Sequence, residues 1–298
     1  MDPLLSTALE AAEAAARVHL VYFGEVGPDD ARRKAHSDFV SRVDLEAQEA
    51  ALSVILQRHP DHRVLAEEDP GGEDSGRGER TWPEDGSYLW IVDPLDGTTN
   101  YLHRHPQFAA SVGVGRRVRE AGDGIGDGPK AVLEAGDGIG DGPKAVLEAG
   151  AVVAARTGER WWARRGQGAF KNGLPIRVSP LRALKTALIG TGFPFKEPDL
   201  VPRYLEEFQR VLPASGGVRR GGSAALDLCY LAEGILDGFW EEDYLSPWDV
   251  AAGLVILREA GGLATRLDGS EIDLNDGSIL AANSPAILKE LGALVREP

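Results

Sequence analysis

The segment SYLWIVDPLDGTTNYLH, Ser87–His103, constrains the fold more than any other. Tyr88 to Val92 is an unbroken apolar run with the length and composition of a buried strand. It stops abruptly at Asp93, Pro94, Leu95, Asp96, Gly97, Thr98 and Thr99. Two carboxylates three residues apart at a strand end, followed by a glycine and hydroxyls, make a compact oxygen-rich corner. Hard cations such as Mg2+ prefer such oxygens, taking one or two carboxylates together with a phosphate. The same letters also suit an ordinary turn, because Asp-Pro and Asp-Gly are common turn dipeptides.

Other acids decide between the two. Glu67 and Glu68 close the preceding apolar run RVLAEED, and adjacent strand ends can put one of them beside Asp93. Asp249, in SPWDVAAG, opens a helix, where Ser246, Pro247 and Asp249 fit a capping pattern. An aspartate there can cap and ligate at once. Four gathered carboxylates repel by on the order of 4 kcal/mol per close pair at an effective dielectric of about 20. Divalent cations remove that conflict, and they supply the positive charge that an acidic chain needs to hold a phosphate.

The chain of 298 residues, with net charge −15, can bury a large core, and length suggests one large domain or two lobes. The charge opposes polyphosphate backbones, so no nucleic-acid partner is expected. The first twenty residues lack a basic start followed by an apolar run, and no stretch approaches the roughly 20 apolar residues of a membrane span. One cysteine, Cys229, excludes a disulfide framework and reads as a small buried hydrophobe. These features point to a cytoplasmic protein with no membrane partner.

Helical spacing predicts helices over Leu4–Phe23 and about Asp44–Leu56, packed on each other. Asp69–Gly86 reads as a loop. FAASVGVG and GAVVAARTGERWWARRGQGAFKNG read as antiparallel strands of one sheet. After Pro180 strands and helices alternate: TALIGTG, a helix around Pro202–Leu212, GGSAALDLCYLAEG and WDVAAGLVILREAGG. The expected class is α+β, with a first part over 1–180 carrying the DPLDGTT corner and a smaller α/β part over 181–298 carrying WDVAAG.

Asp93–His103 and Trp248–Gly253 resemble the two signatures of the inositol monophosphatase family, and Glu67-Glu68 resembles its third acidic element. The likeness extends from Lys34–Asp44 through TGFPF (Thr191–Phe195) and RRGGSAALDL (Arg219–Leu228) to ILAAN (Ile279–Asn283). It implies a layered α/β/α/β/α sandwich of the inositol monophosphatase and fructose-bisphosphatase type, a homodimer and inhibition by lithium. It also implies two or three Mg2+ held by Glu67, Asp93, Asp96, Asp249 and the Leu95 carbonyl. Metal-assisted hydrolysis of a small phosphorylated polyol or sugar follows. Glu67 and Thr98, supported by Asp44, would act on the attacking water, and the amides of Gly97, Thr98 and Thr99 would hold phosphate. Substrate hydroxyls would meet Gly222, Ser223, Ala224 and an acid from FWEED. Counted from Asp249 that acid is Glu242; counted from Phe239-Trp240 it is Glu241, which is preferred. Ala66 departs from the glycine the family often carries there, without removing a ligand.

Thr99-Asn100-Tyr101-Leu102-His103 leans toward the inositol branch and away from relatives acting on nucleotide 3′-phosphates or histidinol phosphate, which tend to carry lysine after Asp-Gly-Thr. Fructose-bisphosphatase activity stays open. His59-Pro-Asp-His62 and His103-Arg-His105 read as loop and surface rather than zinc ligands, and the tryptophans as core. Arg219-Arg220 reads as packed or salt-bridged, with contact to substrate or partner as the alternative.

A second class of reading rests on EAGDGIGDGPKAVL, which runs from Glu120 and again from Glu134. Asp123, Asp127, Gly128 and Glu134 match calcium-loop positions, as do Asp137, Asp141, Gly142 and Glu148. Ile125 and Ile139 stand where a ligand belongs, and the flanks make poor helices. The stretch 120–147 is therefore expected to be a duplicated hairpin insertion, in which either KAVLEA can pair with GRRVRE.

Overall fold

The computed structural model describes residues 2–35, 38–68, 82–84, 86–118, 145–195, 197–242 and 244–296, with backbone only at 33–35 and 38–39. Two helices open the chain, α1 (Pro3–Tyr22) and α2 (Arg42–Arg58), with the hairpin β1 (Arg32–Ala35) and β2 (Asp38–Val40) between them. Asp2 starts α1 by accepting from the amides of Leu4 and Leu5. Ala8, Ala11, Ala12, Ala15 and Ala16 are buried, and their small side chains let α1 lie close to α2 and the sheet beneath.

A seven-stranded sheet follows in sequence order: β3 (Arg63–Ala66), β4 (Tyr88–Asp96), β5 (Ala109–Arg117), β6 (Ala145–Ala154), β7 (Glu159–Arg164), β8 (Ala169–Lys171) and β9 (Leu174–Pro175). β3 runs parallel to β4 and the other neighbours are antiparallel. A short helix, α3 (Thr98–Leu102), leaves the end of β4. A second sheet has five strands: β10 (Leu188–Thr191), β11 (Gly217–Arg219), β12 (Gly238–Glu241), β13 (Leu263–Thr265) and β14 (Ile279–Ala282), in the order β11-β10-β12-β14-β13. The remaining helices are α4 (Val201–Ala214), α5 (Ala224–Ala232), α6 (Pro247–Glu259) and α7 (Pro285–Arg296).

Burial arranges these in five layers. α1 and α2 cover one face of the large sheet. α5 and α6 fill the space between the sheets, where Leu228, Leu254 and Ile256 pack with Ile91 and Val152 on one side and Phe239 and Ile279 on the other. α4 and α7 cover the outer face of the small sheet through Tyr204, Val211, Ile287 and Leu291. The result is the expected α/β/α/β/α sandwich, and among the described residues no helix is long and apolar enough to cross a membrane. Glycine sets the depth of α6: a Cβ on Gly113 would come within 2.9 Å of Ala251, and one on Gly150 within 2.7 Å of Ala252. That close seating carries the start of α6, and with it Asp249, onto the strand ends.

Most of the repeated phrase lies outside the described residues, including Asp123, Asp127, Glu134, Asp137 and Asp141, as does most of Asp69–Gly86. The second copy enters the structure at β6, where Ala145, Val146 and Leu147 pair with Arg117, Arg116 and Gly115. Of the two strands offered for that pairing, the sheet uses the second.

Candidate active site

The parallel pairing of β3 with β4 sets Ala66 opposite Val92, and the Glu67 amide donates to the Val92 carbonyl at 3.1 Å. Glu67 is thereby brought level with Asp93. In a regular strand Asp93 and Asp96 would face opposite sides. The ladder between β4 and β5 slips between them, so that Asp93 faces Ser111 and Asp96 faces Ala109. Proline, which has no N–H to donate, belongs at such a bulge, and Pro94 occupies it. The Pro94 carbonyl accepts from His19 Nε2 at 2.7 Å; burial pushes that imidazole down to about 4, so it is neutral with its proton on Nε2.

The slip brings the acids together. Asp93, Asp96 and Asp249 each place a carboxylate oxygen within 4.8 Å of the other two. Asp249 sits in the first turn of α6 and accepts from the Ser246 amide at 2.6 Å, so it caps the helix while facing the cluster. Burial, followed by the charges of Glu67, Asp96 and Asp249, pushes the Asp93 carboxyl well above its usual range. Asp96 is held from the other side by the Ser223 hydroxyl at 2.5 Å and the Ala225 amide at 2.8 Å, at the start of α5. The set fits hard divalent cations: all donors are carboxylate oxygens, and like charge raises the cost of leaving them without a cation.

Thr98 follows Gly97, whose φ of 89° is readily adopted only by glycine. A Cβ on Gly97 would also meet the carbonyls of Gln107 at 3.0 Å and Gly222 at 3.2 Å. The Thr98 hydroxyl lies 3.1 Å from both Asp44 Oδ1 and the Leu95 carbonyl, and its one proton goes to one of them. Asp44 is fully buried and takes two bonds from Ser41, amide 2.8 Å and hydroxyl 2.7 Å; burial nevertheless pushes its carboxyl up to about 6.

One cavity gathers Glu67, Asp93, Leu95, Asp96, Gly97, Thr98, Thr99, Gly222, Ser223, Ala224, Glu241 and Asp249, all marked by the sequence as site residues. Asp44 stands behind Thr98, outside the lining. Strand alternation separates the two glutamates of FWEED. Glu241 ends β12 and lines the cavity, whereas Glu242 is buried away from it and ion-paired with Arg203. Ser223 lines the cavity while its hydroxyl is donated to Asp96, which leaves its backbone facing the cavity's contents. Glu68, the neighbour of Glu67, is buried and its amide donates to Gln48.

The cavity also contains residues that the sequence left unassigned, namely Gly192, Phe195, Tyr244 and Leu245, and one it read mainly as packing, Arg220. Asn100 joins the two sides of the site, donating to the Gln107 carbonyl at 2.7 Å and the Gly221 carbonyl at 3.0 Å. The extra residue between Glu241 and Asp249 was a usable signal for Tyr244. Histidines 59 and 62 are taken up by packing: His59 Nε2 meets Thr7 Oγ1 at 3.1 Å, and His62 Nδ1 accepts from Trp90 at 3.1 Å.

Known proteins resemble this chain in sequence and fold. A fructose-1,6-bisphosphatase/inositol-1-monophosphatase of Aquifex aeolicus is 38% identical over 279 residues, covering 94% of this chain and 90% of its own. A putative Nus factor SuhB of Neisseria meningitidis serogroup B is 36% identical, covering 98% and 97%. The solved inositol monophosphatase of Anabaena superposes with a TM-score of 0.73 at 32% identity, over 98% of this chain and 94% of that one. The family model for the inositol monophosphatase family matches residues 1–119 and 141–297, passing over the first copy of the duplicated phrase and the first half of the second. With the layered fold and the carboxylate cluster already in place, this match settles the family: the chain belongs to the inositol monophosphatase family.

Proposed function

We propose that the protein is a Mg2+-dependent phosphomonoester hydrolase that converts inositol 1-phosphate and water to inositol and phosphate. The observation that carries this reading is the gathering of Asp93, Asp96 and Asp249 on one cavity, within 4.8 Å of each other. Glu67, Asp93, Asp96, Asp249 and the Leu95 carbonyl would hold two or three Mg2+. Mg2+ held there supplies Lewis-acid activation of water and charge for the departing oxygen.

The chain's own groups do the rest. Thr98 donates its hydroxyl proton in a hydrogen bond to Asp44, itself fixed by Ser41, which leaves the Thr98 oxygen as an acceptor for the attacking water. Glu67, beside it on the cavity wall, receives the proton that the water gives up. The amides of Gly97, Thr98 and Thr99 hold phosphate oxygens at the start of α3. Glu241 takes a hydroxyl of the leaving group, and Gly222, Ser223 and Ala224 meet the polyol through their backbone.

Phosphate release from inositol 1-phosphate, titrated with MgCl2 and then LiCl, tests the reading. Wild-type protein should turn over only with Mg2+ and be inhibited by Li+, and Asp96→Asn should abolish turnover. Release at the wild-type rate in that variant contradicts it. The name of the Aquifex relative carries two activities, so fructose 1,6-bisphosphate is the second substrate to test, ahead of histidinol phosphate and adenosine 3′,5′-bisphosphate. The Nus-factor name belongs to the Neisseria protein; here a net charge of −15 opposes a polyanionic partner. A homodimer and a cytoplasmic setting are carried over on the same footing, and light scattering measures the first.

A further inference from the structure

His19, near the end of α1, is fully buried against aromatic rings, with Phe108 edge-on at 5.7 Å between centroids and Tyr101 at 6.0 Å. An apolar side chain would fill that wall without desolvating a polar group. Among the described residues the imidazole makes one hydrogen bond, from Nε2 to the Pro94 carbonyl at 2.7 Å, and its buried Nδ1 has no partner. The His19 backbone carbonyl accepts from the Tyr101 hydroxyl at 2.8 Å, which ties the same turn of α1 to α3.

The acceptor of that bond lies inside the carboxylate corner. The Pro94 carbonyl and the Leu95 N–H belong to one planar peptide and point in opposite directions. The Leu95 amide donates to Asp93 Oδ1 at 2.9 Å, which fixes the rotation of the Asp93 carboxyl. The proline ring locks φ at Pro94, so the tilt of this peptide turns mainly on one torsion, and the bond from His19 holds it. The hydrogen bonds thus run in one line from His19 Nε2 through the Pro94–Leu95 peptide to the Asp93 carboxylate. Leu95 is held on its other side as well, where the Thr98 hydroxyl lies 3.1 Å from its carbonyl.

We propose that His19 is a positioning residue for the metal site: by holding the Pro94–Leu95 peptide it sets the rotation of the Asp93 carboxylate and the place of the Leu95 carbonyl, and with them the affinity for a divalent cation. The inference rests on the reading of the carboxylate cluster as a cation site and is independent of the substrate. His19 acts one peptide away from the ligands, and groups that orient ligands in this way are worth about 10-fold to 100-fold in metal affinity. Burial suits the task. The imidazole is neutral at neutral pH and keeps its proton on Nε2, and the aromatic wall excludes water that would compete for the Pro94 carbonyl.

Mn2+ titrations followed by electron paramagnetic resonance, which reports free Mn2+ directly, test this in wild-type protein, His19→Leu, His19→Gln and Tyr101→Phe. His19→Leu removes the donor and keeps apolar volume, and its Mn2+ dissociation constant should rise by about 10-fold or more. His19→Gln, whose amide N–H can donate from about the place of Nε2, should return to within about threefold of wild type. Tyr101→Phe loosens the same turn of α1 without touching the bond to Pro94, and should stay within about twofold. Should His19→Leu fail to fold, His19→Met, flexible and without a donor, makes the same comparison. Unchanged Mn2+ affinity without the donor, no rescue by His19→Gln, or an equal loss in Tyr101→Phe overturns the proposal, the last by reducing His19 to packing. Wild-type protein that binds no Mn2+ would instead overturn the cation-site reading on which it rests.

Discussion

Asp93 and Glu148 are buried acids in the same seven-stranded sheet, 1% and 7% exposed, and they keep opposite company. Around Glu148 stand three arginines. Arg164 is ion-paired with it, and Arg116 and Arg165 lie 3.6 and 3.9 Å away. Around Asp93 stand Glu67, Asp96 and Asp249. The chain neutralises the first acid with its own cations and crowds the second with more carboxylates. Crowding of that kind is relieved by a proton or by a cation from outside, and an all-carboxylate donor set suits a hard divalent cation. The contrast also bears on the repeated phrase: Glu148, which would be the last ligand of a second calcium loop, is an anchor of β6.

The largest expected effect is on catalysis. Asp96→Asn should lower Mg2+-dependent turnover by at least about 1,000-fold, since it loses a ligand on which Ser223 and Ala225 converge. Glu148→Gln should leave turnover within about twofold. Equal losses in the two variants would erase the distinction between the sites.

Stability separates them in the opposite direction. Glu148→Gln should destabilise the protein by about 1–3 kcal/mol, because the arginines lose a buried partner; urea unfolding measures it. Asp93→Asn should stabilise the metal-free protein by relieving like-charge crowding, and should abolish the gain that Mg2+ gives wild type. That gain should be about 2.7 kcal/mol at a hundred times the dissociation constant. A metal-free Asp93→Asn protein less stable than wild type would break the comparison.

pH sharpens it further. Burial raises the folded-state carboxyl of Asp44 to about 6, against about 4 for an unfolded aspartate. The folded protein then holds the proton that the unfolded chain has released. The stability this group gives the metal-free protein is complete below about pH 4 and is lost as pH rises to about 6. The raised Asp93 carboxyl acts with the same sign. Urea midpoints of metal-free protein should fall across that window, less so in Asp44→Asn; a rise would contradict the assignment.

The smallest effect concerns the repeat. Removing either copy of EAGDGIGDGPKAVL leaves the same sequence, with one KAVLEAG to enter β6. Turnover should stay within about twofold. A large loss with the fold preserved would assign the stretch a role in catalysis.

How far the sequence could be read follows from the range of the contacts involved. β4 was visible because an apolar run ending in acids is a local pattern, and α1 and α2 appeared within a few residues of their bounds. The convergence of Glu67, Asp93, Asp96 and Asp249 could be raised from strand ends and a helix start, and family resemblance singled out Glu67 over Glu68; the bulge at Pro94 and the close seating of α6 on Gly113 and Gly150, which bring it about, are properties of packing. The choice between Glu241 and Glu242 depended on the end of β12, which an extra residue in the following loop had obscured. Arg220 and the Ser223–Asp96 bond join parts of the chain more than twenty residues apart, and neither leaves a local trace.

The central claim is that the carboxylates around Asp93 are completed by a divalent cation. Crystals soaked in Mn2+, a stand-in for Mg2+ with usable anomalous scattering, test it directly. The account predicts an anomalous peak bonded to Asp93, Asp96 and Asp249 and none beside Glu148. An empty cluster at saturating Mn2+, or a peak held by the acids of the repeated stretch instead, would contradict it.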